Sequence, residues 1–289
     1  MNLLGTGFLT PEGLAEAKRV EAGIAVELAI AKRAIAVCQA ALTGADISAQ
    51  ETDKQKQLLV ACVMLTRILE ISEGMVLLAQ GGFSVDVTAA LRNFLAAFFI
   101  FGNVCKDSTF VARYFRSDLR VRQKLVNAAA KHQGEPFELV NKYASPEVRK
   151  ELDEQISEMK ATEFDSYKYA NDVGCTHLYD SMYRISSAAT HSTPRSLEDY
   201  VREDERGNVV QLVRQPQAGD IADRILDVSA LLLNVRTAFD ALSGLDAGGE
   251  VDEIRALLES IPSRAVPLTS LDQRSVDDAK SDSEATPRG

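Results

Sequence analysis

The sequence lacks the short motifs on which most metal, nucleotide and hydrolase sites are built. HExxH, GxSxG, ExxH, EF-hand and phosphate-loop patterns are all missing, and Gly5-Thr6-Gly7 has none of the later residues of a nucleotide fingerprint. The four Cys lie far apart with no CxxC pair, and only three His are present. These absences predict a protein with no cofactor and no metal, whose cysteines are reduced, buried thiols.

Positive charge and long apolar runs are also scarce. The 42 Asp and Glu outnumber the 32 Lys and Arg, for a net charge of -10, so we predict no DNA partner and only local phosphate contacts. Asp86, Arg92 and Asn93 interrupt the most apolar stretch and leave 94–101 as its one uninterrupted run, short of the roughly 20 residues of a membrane-spanning helix. The N-terminus has no secretory pattern. We therefore expect a cytoplasmic protein with no membrane partner.

Glycine and proline are few and fall between long segments of helical periodicity, which is typical of an all-α helical bundle. Thr10-Pro11 and Ser145-Pro146 are helix-start signals, and Gly81-Gly82 is a strong stop signal. Between two Val-rich runs, Arg206-Gly207-Asn208 predicts one small β-hairpin over about 197–214. The pattern predicts about six to eight helices, over approximately 11–42, 54–80, 84–104, 108–130, 146–160, 172–190, 218–242 and 250–260.

The chain has one predicted domain and a tail. No linker separates independent cores, so 1–261 is predicted to form a single helical-bundle domain. From Pro262 onward the sequence is rich in Ser, Asp, Pro and Arg and has few large apolar residues. Because such a segment buries too little apolar surface to offset its ordering entropy, 262–289 is predicted to be disordered.

Charged residues interrupt two otherwise apolar helices. Arg67 and Glu70 lie three residues apart in the predicted second helix, so they can meet, and Glu73 follows one turn later. Arg92 lies in the still more apolar third helix, where an unpaired buried charge costs several kcal/mol. One interpretation is a buried structural network in which Glu70 or Glu73 pairs with Arg92. The other is a functional site lined by these groups.

The densest set of polar residues lies in the predicted sixth helix. Asp180, Arg184, Ser187 and His191 are separated by four, three and four residues, which places them on one face of a regular helix. A histidine can transfer protons near neutral pH, and an arginine can hold a phosphate with two hydrogen bonds. A base, an acid and a cation are what RNA cleavage without a metal requires. The alternative is a solvated face with structural hydrogen bonds.

The spacing of Arg184 and His191, with six residues between them, resembles the signature of the HEPN (higher eukaryotes and prokaryotes nucleotide-binding) superfamily. Many HEPN proteins are metal-independent endoribonucleases of toxin-antitoxin and phage-defence systems, and they generally act as dimers that bring two such motifs together. The resemblance implies that Arg184 and His191 are the catalytic pair. The chain departs from the motif at Ile185, where a polar residue is usual.

A broader resemblance, over about 55–215, is to a bacterial all-helical family of unknown function. Its pattern is matched by Arg67-Ile68-Leu69-Glu70, by Gly82 before Ala90-Leu91-Arg92, and by Tyr183-Arg184-Ile185-Ser186 followed by His191. The chain departs from it at Ala96, where a Glu is usual. This resemblance implies an all-helical fold and no particular activity.

A local basic stripe lies in the predicted fourth helix, within an otherwise acidic protein. Tyr114 and Phe115 lie beside it, and basic residues with aromatic neighbours suit an RNA backbone and a stacked base. The alternative is an ordinary solvated helix face whose aromatic residues point to the core. The stripe consists of four residues at helical spacing: Arg113, Arg116, Arg120 and Lys124.

These observations combine into two expectations about function. The first is an HEPN-like, RNA-directed homodimer, a metal-independent endoribonuclease of a bacterial toxin or defence system, in which Asp180 and Ser187 orient the catalytic pair and the basic stripe guides the substrate. The second is a non-catalytic interaction or regulatory module that binds a protein partner and whose Arg, Glu and His residues form a buried structural network.

Overall fold

The computed structural model describes residues 7–48, 51–131, 138, 144–191 and 193–261, and it confirms a helical bundle with one small hairpin. The predicted disordered tail, 262–289, lies outside these residues. The first half contains α1 Pro11–Gly23, α2 Ala25–Gly44, α3 Asp53–Gln80, α4 Ser84–Lys106 and α5 Ser108–Lys131. The second half contains α6 Pro146–Glu158, α7 Ser166–Asp172, α8 Thr176–Leu178, a π-helical segment Tyr179–Tyr183, α9 Arg184–Thr190, α10 Pro194–Leu197, a 3₁₀ turn Glu198–Tyr200, β1 Val201–Glu203, β2 Val209–Leu212, α11 Ile221–Ser243 and α12 Glu250–Ser260.

The core is formed by α2, α3, α4 and α11, with α4 at its centre. The side chains of Phe94, Phe98, Phe99 and Phe101 on α4 are fully buried. Among the described residues, α4 is the one helix that is long and apolar enough to cross a membrane by length and composition. From the sequence, its uninterrupted apolar run was predicted to be too short for a membrane-spanning helix. More than half of its most apolar window is buried against neighbouring helices, as a central core helix requires.

A buried ion pair within α11 also contacts α2, and the sequence did not indicate it. Arg236 donates from Nε to both carboxylate oxygens of Asp240, at 2.8 and 2.9 Å, and from Nη1 to the carbonyl of Val37, at 2.6 Å. The Cys38 thiol donates to the Leu232 carbonyl on the same interface. Because Arg236 is almost completely buried, these partners are what make its charge tolerable in the core.

The predicted first helix is wrong in one respect, because it is divided into α1 and α2 at Ile24. Gly23, a weak helix former, precedes the break. Ile24 has φ -119° and ψ 21°, outside helical geometry, and its side chain is buried.

The predicted sixth helix is also interrupted. Gly174 has φ +72°, a left-handed conformation that glycine adopts without strain, and it separates α7 from α8. The π-helical segment then lies between α8 and α9. A π turn holds one residue more than an α turn, so regular helical spacing does not continue from α8 into α9, although Asp180 within the segment still meets Arg184.

The segment that follows the hairpin lies against the end of α3. The two strands pair antiparallel, with Val201 opposite Leu212. Beyond them, the backbone N–H of Gln217 donates to the Gly82 carbonyl at 3.0 Å. A Cβ on Gly82 would lie 2.6 Å from the Pro216 Cβ, so this close approach requires glycine.

The helices α5 and α6 form a small second apolar cluster beside the main core. Leu152, Ile156 and Ala161 are buried in it, and Leu119 and Val126 of α5 pack against them. The segment that follows α6 therefore lies along α5, which decides the surroundings of the basic stripe.

Candidate functional site

The predicted Asp180 and Arg184 meet on the protein surface. The Arg184 Nε lies 3.2 Å from the Asp180 Oδ1, and the two side chains are 65% and 53% exposed. An exposed pair of this kind contributes only about 0.3–0.5 kcal/mol to stability. The carboxylate therefore orients the guanidinium without burying it, and Arg184 stays accessible to a ligand from solvent.

A stack of tyrosines, which we call the tyrosine stack (Tyr167, Tyr179 and Tyr183), lies beside this pair. The rings of Tyr179 and Tyr183 are parallel, with centroids 4.8 Å apart. Tyr167 of α7 meets the Tyr179 ring nearly at right angles, at 5.3 Å. The Arg184 guanidinium carbon lies 5.7 Å from the Tyr179 centroid, within the range of a cation–π contact. The site thus combines a cation with several aromatic rings.

A second arginine contacts the buried end of the tyrosine stack. The Arg92 guanidinium carbon lies 5.2 Å from the Tyr183 centroid, and the Tyr183 hydroxyl donates to the Ser166 Oγ at 3.2 Å. The Arg92 Nε is buried and has no hydrogen-bond partner in the structure. The predicted ion pair of Arg92 with Glu70 or Glu73 is wrong, because among the described residues Arg92 forms a cation–π contact instead.

Arg67, Glu70 and Glu73 are exposed, so the predicted buried network is not formed. Arg67 and Glu70 do pair, at 2.7 Å, as their spacing predicted. Their pair lies on the solvent side of α3, because the core side of that helix is occupied by Leu65, Ile68 and other apolar residues. Neither residue contacts Arg184.

Ser187 and His191 follow Arg184 along α9. His191 lies just past the helix end, where its backbone N–H donates to the Ser187 carbonyl at 3.3 Å, and its side chain is exposed. Ser187 is half-buried, whereas its neighbour Ser186 is buried and donates to the Met182 carbonyl. Seven residues at 1.5 Å each separate Arg184 from His191 by roughly 10 Å along the axis.

The basic stripe is not a free surface, because each of its residues contacts the protein. Arg116 donates to the Met159 carbonyl and Arg120 to the Ala161 carbonyl, at 3.1 and 3.0 Å. Lys124 pairs with Glu163 at 2.9 Å, and Arg113 with Asp172 at 3.9 Å. These cations attach the segment after α6 to α5. These contacts favour a structural role for the stripe, and the expectation that it guides RNA stays a prediction.

The thiols are not arranged as a metal or nucleophile site. Cys38, Cys62 and Cys175 are buried as predicted, and Cys105 is half-buried. Burial raises the pKa of Cys38 to about 12 and that of Cys175 to about 11, so neither forms a thiolate near neutral pH. In the part of the chain that the structure describes, no three His, Cys, Asp or Glu side chains come close enough to hold a metal ion.

The tyrosine stack and Ser166 were missed from the sequence. The four-residue spacing of Tyr179 and Tyr183 was a signal that the rings could meet. Nothing comparable indicated Tyr167, which comes from a separate helix. Its contact with Tyr179 exists because Gly174 lets α7 turn back toward the π-helical segment.

The region that contains this site matches a known family of proteins. No curated protein and no solved structure matches the chain. A family of unknown function (DUF5677) matches residues 58–208, from α3 to the hairpin. The matched region contains Arg67, Glu70, Arg92, Arg184 and His191, which carried the resemblance to an all-helical family seen in the sequence. Because the match covers more than half of the chain, the protein belongs to this family of unknown function.

Proposed function

We propose that the protein is an HEPN-like, RNA-directed protein that cleaves single-stranded RNA without a metal ion. The observation that carries the proposal is the exposed Arg184, oriented by Asp180 and followed two helical turns later by the exposed His191. The π-helical segment directly before Arg184 supports it, since π turns occur frequently at functional sites.

The chemistry needs three groups, and the site offers a candidate for each. The His191 imidazole takes the proton from a ribose 2′-hydroxyl, and the 2′-oxygen then forms a bond to the adjacent phosphorus. The bond from phosphorus to the 5′-oxygen breaks, and the imidazolium returns the proton to that oxygen. Arg184 stabilises the negative charge on the phosphoryl oxygens. The products are a 2′,3′-cyclic phosphate and a 5′-hydroxyl.

Two copies of the chain would supply two such sites. The resemblance to HEPN proteins supports a homodimer, in which the Arg184 and His191 motifs of the two copies are brought together. A cytoplasmic location and a role in a toxin or defence system complete the proposal. The exposed position of His191 at the end of α9 is compatible with a second copy approaching it.

The test is cleavage of a labelled single-stranded RNA by the full chain in excess EDTA. His191→Ala and Arg184→Ala should each lower the cleavage rate by at least about a hundredfold, because general acid–base and charge-stabilising groups contribute this much. The matched control is Arg122→Ala. Arg122 forms the same four-residue pair with Asp118 on α5 and is 67% exposed, so its removal should leave cleavage unchanged.

The outcomes separate the proposal from its rival. Cleavage lost in both site variants and kept in Arg122→Ala, with unchanged circular dichroism, would support the nuclease. An intact RNA after incubation with the wild-type chain, or equal rates in all variants, would contradict it. An oligonucleotide of the same sequence without 2′-hydroxyls should resist cleavage, which tests the proposed nucleophile directly.

The alternative, a non-catalytic interaction or regulatory module, is favoured by one observation. The large apolar side chains of Phe115, Val121 and Leu125 are each more than half exposed. At about 100° per residue they lie within one face of α5. Grouped exposed apolar side chains are typical of protein contact surfaces. Inactivity of the wild-type chain in the cleavage test would make this function the better proposal.

A further inference from the structure

Tyr167 is an exposed aromatic ring that the structure nevertheless holds in place. It is 46% exposed and lies in the first turn of α7. The Asp165 carboxylate accepts from the backbone N–H groups of Tyr167 and Lys168, at 3.0 and 3.1 Å, and so fixes this turn. The edge-to-face contact with Tyr179 fixes the ring itself. Part of the ring therefore faces solvent in a defined orientation.

The rings beneath Tyr167 form a continuous support that ends in the core. Tyr179 stacks on Tyr183, and Tyr183 contacts Phe99 of α4 at 6.1 Å. Phe99 is fully buried. Since the platform is already ordered, a ligand that stacks on Tyr167 loses little affinity to the ordering of protein side chains.

The exposed ring and the exposed cation are close to one another. Tyr167 lies 5.3 Å and the Arg184 guanidinium carbon 5.7 Å from the same Tyr179 centroid, so their separation is at most the sum of these two distances. A nucleotide presents a flat base and a phosphate at a separation of this order. The pair thus matches the two parts of one nucleotide.

We propose that Tyr167 is a base-stacking residue for single-stranded RNA, next to the phosphate that Arg184 binds. This inference rests on the proposed function and adds to it the subsite that positions the substrate. Asp165 and Asp180 offset the charges of Lys168 and Arg184 around the ring. Stacking therefore supplies most of the affinity at this position, and purines, with the larger ring surface, bind more tightly than pyrimidines.

The experiment measures binding apart from cleavage. The probe is a fluorescein-labelled 2′-O-methyl oligoadenylate of eight nucleotides, which lacks the 2′-hydroxyl nucleophile, titrated with the full chain and followed by anisotropy. Tyr167→Ala should weaken binding about tenfold, because one stacked base is lost. Tyr167→Phe should stay within about twofold of wild type, since only the hydroxyl is removed and the stacking ring remains. The matched control, Tyr200→Ala, removes a ring that is 44% exposed beside the hairpin and should bind as wild type does.

The results of the two experiments are distinguishable. Equal affinity of Tyr167→Ala and wild type, or no measurable binding of the oligoadenylate by the wild-type chain, would overturn the subsite. Binding that depends on Tyr167 without any RNA cleavage would keep the subsite and overturn the nuclease. RNA cleavage that is unaffected by Tyr167→Ala would keep the nuclease and overturn the subsite. A base-paired duplex of the same length should compete weakly, because its bases are already stacked; equal competition by the duplex would also contradict stacking on Tyr167.

Discussion

Replacing Arg236 by methionine should destabilise the protein more than any change at the exposed ion pairs. The substitution keeps an unbranched side chain of similar length and removes the charge. The Arg236 side chain is 6% exposed and that of Asp240 is 15% exposed, and Arg236 also donates to the Val37 carbonyl. Its loss leaves a buried carboxylate and a buried carbonyl without these donors. The expected decrease in the free energy of unfolding is about 3–5 kcal/mol.

Urea unfolding followed by far-ultraviolet circular dichroism measures this decrease, since the chain has no Trp for a fluorescence probe. The double variant Arg236→Met/Asp240→Asn removes both charges and keeps an oxygen that can accept a hydrogen bond at 240. It should be more stable than the single variant by at least about 1 kcal/mol, because the uncompensated charge is gone. A loss below about 1 kcal/mol in the single variant, or a double variant no more stable than it, would refute the reasoning.

The stability that Arg236→Met loses should depend on pH. Burial is the largest effect on the Asp240 carboxyl and raises its pKa, whereas the hydrogen bond and charge of Arg236 lower it. Without Arg236 the pKa in the folded state rises further. A carboxyl with a higher pKa in the folded state binds its proton more tightly there, so stability falls as pH rises from the unfolded pKa through the folded one. The deficit of Arg236→Met should therefore be smaller at pH 5 than at pH 8, and an equal deficit would argue against it.

Three further predictions concern the stripe, the close approach at Gly82 and the thiols. Arg120→Met should lower the free energy of unfolding by about 1–3 kcal/mol through its lost bond to Ala161, yet leave RNA affinity unchanged; a selective loss of affinity would support the guiding role. Gly82→Ala should lower the midpoint of thermal unfolding more than Gly174→Ala does. Both glycines have φ +72°, but only at Gly82 would a Cβ meet Pro216, so equal decreases would contradict that contact. Cys38 should resist Ellman's reagent at pH 8 until urea unfolds the chain, since its pKa is about 12; rapid labelling of the native protein would refute its burial.

Helical periodicity predicted most of the fold, and local backbone geometry explains where it failed. The signals at Thr10-Pro11, Ser145-Pro146 and Gly81 mark real helix boundaries, because caps and terminators act within a few residues. The break at Ile24 was missed, since a buried apolar residue fits the periodic pattern whether or not its backbone is helical.

The site was predicted in part, for a related reason. The Asp180–Arg184 pair follows from spacing along one segment, and the structure contains it. The contacts of Arg92 with Tyr183 and of Tyr167 with Tyr179 join residues distant in the chain, and no local rule selects such partners. The basic stripe shows the same limit. Its helical spacing was predicted correctly, but the carbonyls to which its arginines donate lie in the segment after α6, far away in the chain.

The π-helical segment Tyr179–Tyr183 determines how a difference in the length of this stretch affects the position of Arg184. A π turn holds one residue more than an α turn, so the deletion of a single residue there would restore a regular helix and leave the direction in which Arg184 points nearly unchanged. The six-residue interval between Arg184 and His191 lies after the segment and would survive such a deletion unchanged. Two relatives with identical motifs, differing by one residue in this segment, would therefore present the arginine to the same neighbours, and their difference in length would not by itself indicate a different site.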